Sequence, residues 1–325
     1  MGIVGVGFVG GQAHAPAFKR IPNSRLIALS ARTKERVKPI AEKYNVTYML
    51  DHNKLISQPD IDAVVVATPT PLHYDVVKLA LENRKHVLCE MPLTPSVKQS
   101  QELGRLAKKA GVILMPVLNF RFTPNYLKVK ELLTANALDE PAALSFVESI
   151  PARDLATQWP AGSWAWDKEA SGGYPDFTLS VWSIDLIRWL FEAEYADTHW
   201  KTNYLPLKDL GGILGYSTMG LFKLTNGVIG SLHYTCLTTI SASQSTLEIL
   251  GRNTFAIRAE SNNSTTLTAE SPARQEWRFR EVGTRVWGHY QMDEHFIKCL
   301  LGEADPQVTV EDAVKAQEIA SGMTR

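Results

Sequence analysis

Three glycines near the start of the chain have the spacing of a dinucleotide-binding loop. Gly5, Gly7 and Gly10 directly follow a short apolar stretch and precede a helix that we predict over residues 10–20. In such a loop the first glycine permits a tight turn, the second lets backbone approach a pyrophosphate, and the third lets the helix pack on the sheet. The helix N-terminus then offers free N–H groups to the phosphates. The predicted dinucleotide-binding residues of this loop are Gly5, Gly7, Phe8, Val9 and Gly10.

The residues after a second predicted strand, at 25–30, bear on the choice between NAD and NADP. An NAD site usually has an acidic side chain about twenty residues past the glycines, where it binds the ribose hydroxyls. This chain has Ser30-Ala31-Arg32-Thr33 instead. Arg32 can pair with a 2′-phosphate through its fork of N–H donors, and the hydroxyls of Ser30 and Thr33 can donate to the same group. We therefore expect NADP, with NAD possible. The alternative is that Arg32 is a solvated residue at the start of a helix.

Alternating strands and helices surround these motifs. Buried apolar strands are predicted at 62–67, 86–89 and 112–117, and helices at 35–44, 71–83 and 95–109. Repeated strand–helix units of this length imply a parallel, doubly wound sheet, so we predict an α/β Rossmann domain over residues 1–120. In such sheets ligands bind at the carboxyl ends of the strands, which directs attention to the loops that follow them.

From residue 121 the pattern changes to that of an α+β domain, which we assign to residues 121–325. Asn226-Gly227 separates two alternating stretches and favours a hairpin with a type I′ turn. Further strands predicted at 245–250, 254–259, 265–268 and 276–280 would extend a large, open, mostly antiparallel sheet. Helices at 290–301 and 311–321 would end the chain and pack back towards the first domain.

The composition excludes several classes of function. Lys plus Arg and Asp plus Glu both number 34 among 325 residues. A net charge of zero gives no electrostatic reason to expect binding to nucleic acid or to an anionic membrane. The apolar run at 63–67 is far too short for a membrane span, and we expect no signal peptide. Cys89, Cys236 and Cys299 are widely spaced, which favours reduced thiols in the cytoplasm and no metal site.

Several segments resemble the Gfo/Idh/MocA oxidoreductase family. Residues 68–73, Thr-Pro-Thr-Pro-Leu-His, are similar to a family loop beside the nicotinamide, and Glu90-Met91-Pro92 stands where the family has Glu-Lys-Pro. Residues 172–185 align without a gap to the family segment Gly-Gly-Gly-x-x-x-Asp-x-x-x-His-x-x-Asp. The resemblance covers essentially the whole chain. It implies an NAD(P)-dependent oxidoreductase with a small-molecule substrate, and a homodimer or homotetramer formed by the second domain. The cofactor-side positions that it implies are Thr68, Pro69, Thr70, His73, Glu90, Met91, Asn119 and Arg121.

The three catalytic positions of that family lack titratable groups here. The family lysine is replaced by Met91, and its Asp and His, four residues apart on one helix face, are replaced by Thr178 and Trp182. A thioether carries no proton, a threonine hydroxyl is no general acid near neutral pH, and the indole N–H is only a donor. The resemblance therefore implies the family scaffold with changed catalysis.

Two functional hypotheses follow. The first is an NADP-dependent oxidoreductase with a non-standard proton source, acting on a small carbonyl, imine, sugar-derived or conjugated substrate. If the helix near 178–191 begins early, with Pro175 in its first turn, Tyr174 lies on the stripe of Thr178 and Trp182. Tyr174 is then a candidate acid and Asp176 a second one. The tryptophans that could line a pocket are Trp159, Trp164, Trp166 and Trp182.

The second hypothesis is a catalytically inactive protein that binds NAD(P) and has a regulatory protein partner. Certain transcriptional repressors that resemble the same fold lack the lysine and bind the dinucleotide without turnover. The aromatic residues near position 174 would then be ordinary packing residues.

Overall fold

The computed structural model of the protein describes residues 1–138, 140–237, 244–252, 256–260, 264–268, 274–279 and 288–323. These residues form two units. The first unit contains residues 1–119 and 288–318, and the second contains the described parts of 120–279 and 319–323. The stretch 288–318, which we assigned by sequence to a second domain over 121–325, thus groups with the first unit.

The first unit is built on a six-stranded sheet in the order β3-β2-β1-β4-β5-β6, with every neighbouring pair parallel. Its central strands are fully buried, which explains their continuous apolar sequence. The predicted doubly wound sheet is confirmed. The strands are β1 (Gly2–Val4), β2 (Ala28–Ser30), β3 (Thr47–Met49), β4 (Ala63–Val66), β5 (His86–Cys89) and β6 (Leu114–Pro116).

The second unit is built on an eight-stranded sheet in the order β14-β13-β12-β11-β7-β10-β9-β8. Only the pair formed by β7 and β10 is parallel among its described neighbours, so the predicted open, mostly antiparallel sheet is confirmed. Its strands are β7 (Pro141–Ser149), β8 (Tyr195–Leu207), β9 (Ile213–Leu224), β10 (Ile229–Cys236), β11 (Gln244–Gly251), β12 (Ala256–Glu260), β13 (Ser264–Thr268) and β14 (Arg274–Arg278). The predicted strand ends at Thr254 and Arg280 lie outside the described residues.

The strands of this sheet alternate between a buried and an exposed face. On β9, Phe222 and Leu224 are buried, whereas Met219 and Leu221 are 59% and 65% exposed. Strand β8 was not singled out from the sequence, because its alternating burial leaves few fully apolar positions.

Helices accompany both sheets, and most lie within a few residues of their predicted bounds. They are α1 (Ala15–Phe18), α2 (Lys34–Tyr44), α3 (His52–Ile56), α4 (His73–Glu82), α5 (Val97–Ala110), α6 (Pro124–Thr134), α7 (Ala152–Gln158), α8 (Lys168–Ser171), α9 (Tyr174–Phe191), α10 (His289–Leu300) and α11 (Val310–Met323). Within the described ranges, no helix is both long and apolar enough to cross a bilayer.

The helix predicted over residues 10–20 differs from a regular α-helix in its first part. Gly10–His14 form a π-helical turn that continues into α1, and the Ala15 N–H bonds to the Gly10 carbonyl five residues before it. Pro16 lies in the first turn of α1. The proline ring crowds the carbonyl four residues earlier in a regular α-helix, and the wider turn gives the ring more room.

The hairpin predicted at Asn226-Gly227 exists, but its turn is not type I′. A type I′ turn needs positive φ at both central residues. Gly227 has a φ of +93°, whereas Asn226 is not among the described residues with positive φ. The N–H of Gly227 bonds to the carbonyl of Leu224, and the N–H of Leu224 bonds to the carbonyl of Val228. The connection is therefore a three-residue loop that ends in a left-handed glycine.

Candidate functional site

The glycine loop has the geometry of a dinucleotide-binding loop. Gly5 has a φ of +96°, and a Cβ there would lie 2.4 Å from the carbonyl oxygen of Ala67. A Cβ on Gly10 would lie 2.0 Å from the carbonyl oxygen of Gly5, so the protein's own packing requires both glycines. A Cβ on Gly7 would meet nothing within 4 Å. That open space is where backbone approaches a pyrophosphate in this motif, so the loop fits a dinucleotide. Phe8, in the same loop, is 38% exposed.

Of the three predicted NADP residues at the end of β2, two lie at the surface and one is buried. Ser30 is buried, and its carbonyl accepts the N–H of Gly5 at 2.9 Å. Arg32 and Thr33 are exposed. Thr33 precedes α2 in an extended conformation, and its hydroxyl makes no capping bond to that helix. The sequence and the structure thus agree that a guanidinium and a hydroxyl, rather than a carboxylate, follow β2.

The loops after β4 and β5 are tied together by His73. Its Nε2 lies 2.8 Å from the Thr68 carbonyl and its Nδ1 lies 3.0 Å from the Pro92 carbonyl. Burial lowers the pKa of His73. Both nitrogens face protein carbonyls and the ring is buried, so neither nitrogen is free to bind a cofactor. The Thr68 hydroxyl is buried without a hydrogen-bond partner in the described part of the chain, and so remains available to a ligand. Thr70 is buried and Pro69 is exposed.

A buried cluster of histidines and carboxylates lies beyond β5. His14 Nε2 is 2.9 Å and His289 Nε2 is 3.3 Å from Glu90 Oε1. His14 Nδ1 lies 2.9 Å and 3.0 Å from the two carboxylate oxygens of Asp293. The Asn119 amide nitrogen is 3.3 Å from His289 Nδ1. Glu90 and Asn119 were predicted as cofactor-side residues, whereas His14, His289 and Asp293 were not predicted at all.

Electrostatics within this cluster favour charged forms of two members. Burial alone would lower the pKa of His14, but the carboxylates of Asp293 and Glu90 raise it to about 10. Burial alone would raise the pKa of Glu90, but hydrogen bonds from His14 and His289 lower it to about 2. The cluster is therefore a strongly coupled group of charges in a dry environment.

The remaining predicted positions are engaged in packing or in ion pairs. The side chain of Met91, at the place of the family lysine, is buried, and its backbone N–H donates to Glu90 Oε2 at 3.3 Å. Arg121 is buried in the second unit, where its Nε donates to Asp185 at 2.7 Å. The guanidinium of Arg121 thus has a carboxylate partner within the protein.

In the second unit, the start of α9 gathers the predicted catalytic residues. Tyr174 has a φ of +62°, and Pro175 follows it in the first helical turn. Asp176 and Thr178 are buried, and the Thr178 hydroxyl donates back to the Tyr174 carbonyl at 3.4 Å. Trp182 packs against Phe120 instead, with ring centroids 6.5 Å apart.

Tyr204 on β8 completes this group, and sequence reasoning missed it. Its hydroxyl donates to Asp176 Oδ2 at 2.8 Å, and its ring centroid lies 5.3 Å from that of Tyr174. Burial raises the pKa of Asp176 to about 6, although the hydrogen bond from Tyr204 opposes the shift. A carboxyl group with this pKa can both hold and release a proton near neutral pH. Because the pair joins a helix to a strand 28 residues away, no local pattern in the sequence indicates it.

Aromatic residues surround this pair. Tyr216 and Tyr234 stack at 5.9 Å with an interplanar angle of 7°, and Tyr204, Trp159 and Trp166 pack against their cluster. Of the four tryptophans that we considered as pocket residues, two therefore belong to this cluster. Trp164 contacts Trp159 edge to face.

Comparison with known proteins assigns the family. Residues 1–117 match the family described as "Oxidoreductase family, NAD-binding Rossmann fold", and residues 126–256 match the "GFO/IDH/MocA C-terminal domain". The chain belongs to the Gfo/Idh/MocA family. The resemblance inferred from the sequence is thereby confirmed.

Several members of this family are similar to the chain over part or all of its length. The uncharacterized oxidoreductase YrbE of Bacillus subtilis is 27% identical over 201 residues, which are 62% of this chain and 56% of that protein. The chain spans about half the length of the curated relatives it matches.

Two solved structures share the fold. Levoglucosan dehydrogenase in complex with NADH and levoglucosan aligns with a TM-score of 0.85 at 19% identity, over 99% of this chain and 95% of the other. Biliverdin reductase from Synechocystis sp. PCC 6803, in complex with biliverdin and NADP+, aligns with a TM-score of 0.81 at 19% identity, over 99% and 96%. At these identities the likeness concerns the fold alone.

Proposed function

We propose that the protein is a cytoplasmic, NADP(H)-dependent oxidoreductase that transfers hydride to or from a small carbonyl, imine, sugar-derived or conjugated substrate. The pairing of Tyr204 with the buried carboxyl of Asp176 carries the proposal. It provides a group that titrates near neutral pH in a chain whose family catalytic positions hold Met91, Thr178 and Trp182. The glycine loop and the family membership support dinucleotide binding.

A bound nicotinamide dinucleotide would supply or accept the hydride. The chain's own residues must hold and move the accompanying proton. When Asp176 is protonated, its O–H can donate to the Tyr204 oxygen, which frees the phenolic O–H to donate to a substrate oxygen or nitrogen. When Asp176 is ionised, it accepts a hydrogen bond from the phenolic O–H, as the structure has it. Tyr174, beside Tyr204, is the second candidate for the phenol that contacts the substrate.

The surroundings of the pair favour a planar or conjugated substrate over a polyol. Tyr204, Trp159 and Trp166 are partly exposed and pack against two buried, stacked tyrosines, and partly exposed aromatic rings bind flat ring systems by offset or edge-to-face contact. A polyol would need many hydrogen-bond partners, and the aromatic side chains around Tyr204 supply few. Among the fold neighbours, the biliverdin reductase structure holds a conjugated substrate.

Arg32 supports NADP over NAD. A charge-assisted contact between its guanidinium and a 2′-phosphate contributes about 1.5–3 kcal/mol, which is roughly a 10- to 150-fold difference in affinity. Titration of NADPH and NADH by fluorescence measures this difference. Arg32→Ala should abolish the preference, while Arg36→Ala, which removes another exposed arginine from the same helix region, should preserve it. Equal affinities in the wild type contradict the assignment.

The proton source is tested with an acceptor screen that includes aldehydes, ketones, cyclic imines and conjugated compounds. We expect NADPH oxidation with at least one of them, and a loss of at least tenfold in kcat in Asp176→Asn and Tyr204→Phe. Tyr195→Phe is the matched control, because it removes another phenol from β8, whose hydrogen bond among the described residues goes to the carbonyl of Ile184. Oxidation no faster than background across the whole screen favours an inactive dinucleotide-binding protein. Unchanged kcat in both variants removes the pair as the proton source.

We further propose a homodimer or homotetramer formed through the exposed face of the second sheet. Met219, Leu221 and Ile229 lie on adjacent strands of that sheet and are 59%, 65% and 57% exposed. Covering such a surface removes apolar area from water at about 25 cal/mol per Å². The cytoplasmic location is supported by Cys89, Cys236 and Cys299, which are free and buried.

A further inference from the structure

We propose that His14, Glu90 and His289 form a site for one divalent transition-metal ion of the zinc class. The inference is independent of the proposed hydride transfer, because it rests on the first unit alone. The sequence indicates no metal site, since the ligands are 76 and 199 residues apart and no short motif joins them. The fold brings them together.

The three ligand atoms have separations suitable for a shared ion. Glu90 Oε1 lies 2.9 Å from His14 Nε2 and 3.3 Å from His289 Nε2, and all three atoms lie within 4.8 Å of one another. Around a tetrahedral zinc ion with bonds of about 2.0–2.2 Å, ligand atoms are about 3.3–3.6 Å apart. The separations of 2.9 and 3.3 Å lie below and at the lower end of that range, and the third is no more than 4.8 Å, so side-chain shifts of roughly 1 Å would complete the geometry.

The group behind His14 has the arrangement expected around a metal, because both oxygens of Asp293 lie within 3.0 Å of its Nδ1 and can accept its N–H. Behind His289, the Asn119 amide nitrogen lies 3.3 Å from Nδ1. That nitrogen is a donor, so the amide would have to turn over and present its oxygen to the Nδ1–H of a metal-bound His289. Metal-binding histidines usually engage their second ring nitrogen with a carboxylate or other polar group, which fixes the ring orientation. Here each Nδ1 is engaged, and each Nε2 is directed at the same oxygen of Glu90.

The charge of the cluster also favours a divalent cation. Glu90 and Asp293 bring two carboxylates into the interior, with side chains 10% and 0% exposed. Two carboxylates buried in one cluster are costly unless positive charge offsets both. An ion of charge +2 would do so.

The ligands come from three separate places in the first unit. His14 ends the π-helical turn after the glycine loop, Glu90 follows β5, and His289 is the first residue of α10. An ion bound to all three would cross-link these segments and stabilise the folded unit by an amount that grows with the logarithm of the free ion concentration once that exceeds Kd. This predicts a rise in melting temperature that does not require cofactor, substrate or turnover.

The test uses the full-length protein, stripped with a chelator and titrated with Co²⁺ as a spectroscopic substitute for Zn²⁺. We expect one equivalent to bind, with the visible absorption of four-coordinate Co²⁺, a higher melting temperature, and displacement by Zn²⁺. Glu90→Gln and His289→Gln should weaken binding at least tenfold, and Asp293→Asn should weaken it 10- to 100-fold. The matched control is His199→Gln, which removes an exposed histidine beside an exposed aspartate and should bind as the wild type does.

Three results would overturn the proposal. The first is a wild-type protein that takes up neither Co²⁺ nor Zn²⁺ at micromolar concentrations, which would leave the cluster as a metal-free network of hydrogen bonds. The second is unchanged affinity in Glu90→Gln and His289→Gln. The third result comes from the X-ray absorption spectrum of the zinc-loaded wild type, which identifies the ligands even if those variants do not fold. It should show two imidazoles and an oxygen ligand, and sulfur in the first shell would contradict the assignment.

Discussion

Replacing Asp176 by asparagine should stabilise the protein above pH 6 by an amount that the structure allows us to estimate. Burial raises the pKa of this carboxyl from 3.8 to about 6. The difference, 6 minus 3.8, is about 2 units, and at about 1.36 kcal/mol per unit it corresponds to roughly 3 kcal/mol. Asparagine has nearly the same shape, keeps an acceptor for the Tyr204 hydroxyl, and cannot ionise.

The sign follows from the direction of the shift. A raised pKa means that the folded protein binds this proton more tightly than the unfolded chain does, so folding stability falls as pH rises through the interval between 3.8 and about 6. Above that interval the wild type carries a buried charge that the variant lacks. The advantage of Asp176→Asn should therefore grow by about 2 kcal/mol between pH 4.5 and pH 7.5.

Urea unfolding, followed by circular dichroism at several pH values, measures this difference in the free energy of unfolding. Burial also raises the pKa of Glu148, to about 7, but that residue is present in both proteins and its effect cancels in the comparison. Asp209→Asn, which removes an exposed carboxyl of the same unit, is the control and should show a difference that does not vary with pH. The reasoning would be refuted if the difference in free energy of unfolding between Asp176→Asn and the wild type stayed constant or decreased as the pH rises.

Three other changes test separate parts of the structure. Gly7→Ala should leave the melting temperature unchanged, because its Cβ meets no protein atom, but should weaken dinucleotide binding at least tenfold in a fluorescence titration; unchanged binding would contradict the assignment of the loop. Arg121→Met should lower the free energy of unfolding by about 3 kcal/mol in urea, because it leaves the buried carboxylate of Asp185 without its bidentate partner. Leu221→Glu should shift the light-scattering mass towards the monomer, whereas Leu301→Glu, at a leucine exposed in the first unit, should not; a monomeric wild type would refute the proposed assembly.

The sequence by itself determined the Rossmann half of the protein. Its strands are buried on both faces and therefore read as continuous apolar runs, as in Ala63–Val66, and its glycines are fixed by local φ and by close backbone contacts. The position of the residues after β2 could also be predicted, because residues that follow a parallel strand in the chain lie at its carboxyl end. The alternation of the second sheet was also readable, although not the turn at Asn226-Gly227.

Only the tertiary structure decided which titratable groups meet. His14 and Glu90 lie 76 residues apart, and Asp176 meets Tyr204 across 28 residues because β8 runs beside the start of α9. Such contacts depend on how separate elements pack, and packing leaves no periodic mark in a single sequence. The sequence showed that Met91, Thr178 and Trp182 replace the catalytic residues of the family. The structure was needed to identify the groups that could take over their chemistry, because it shows that Asp176 is buried, that burial raises the pKa of this carboxyl, and that the Tyr204 hydroxyl bonds to it.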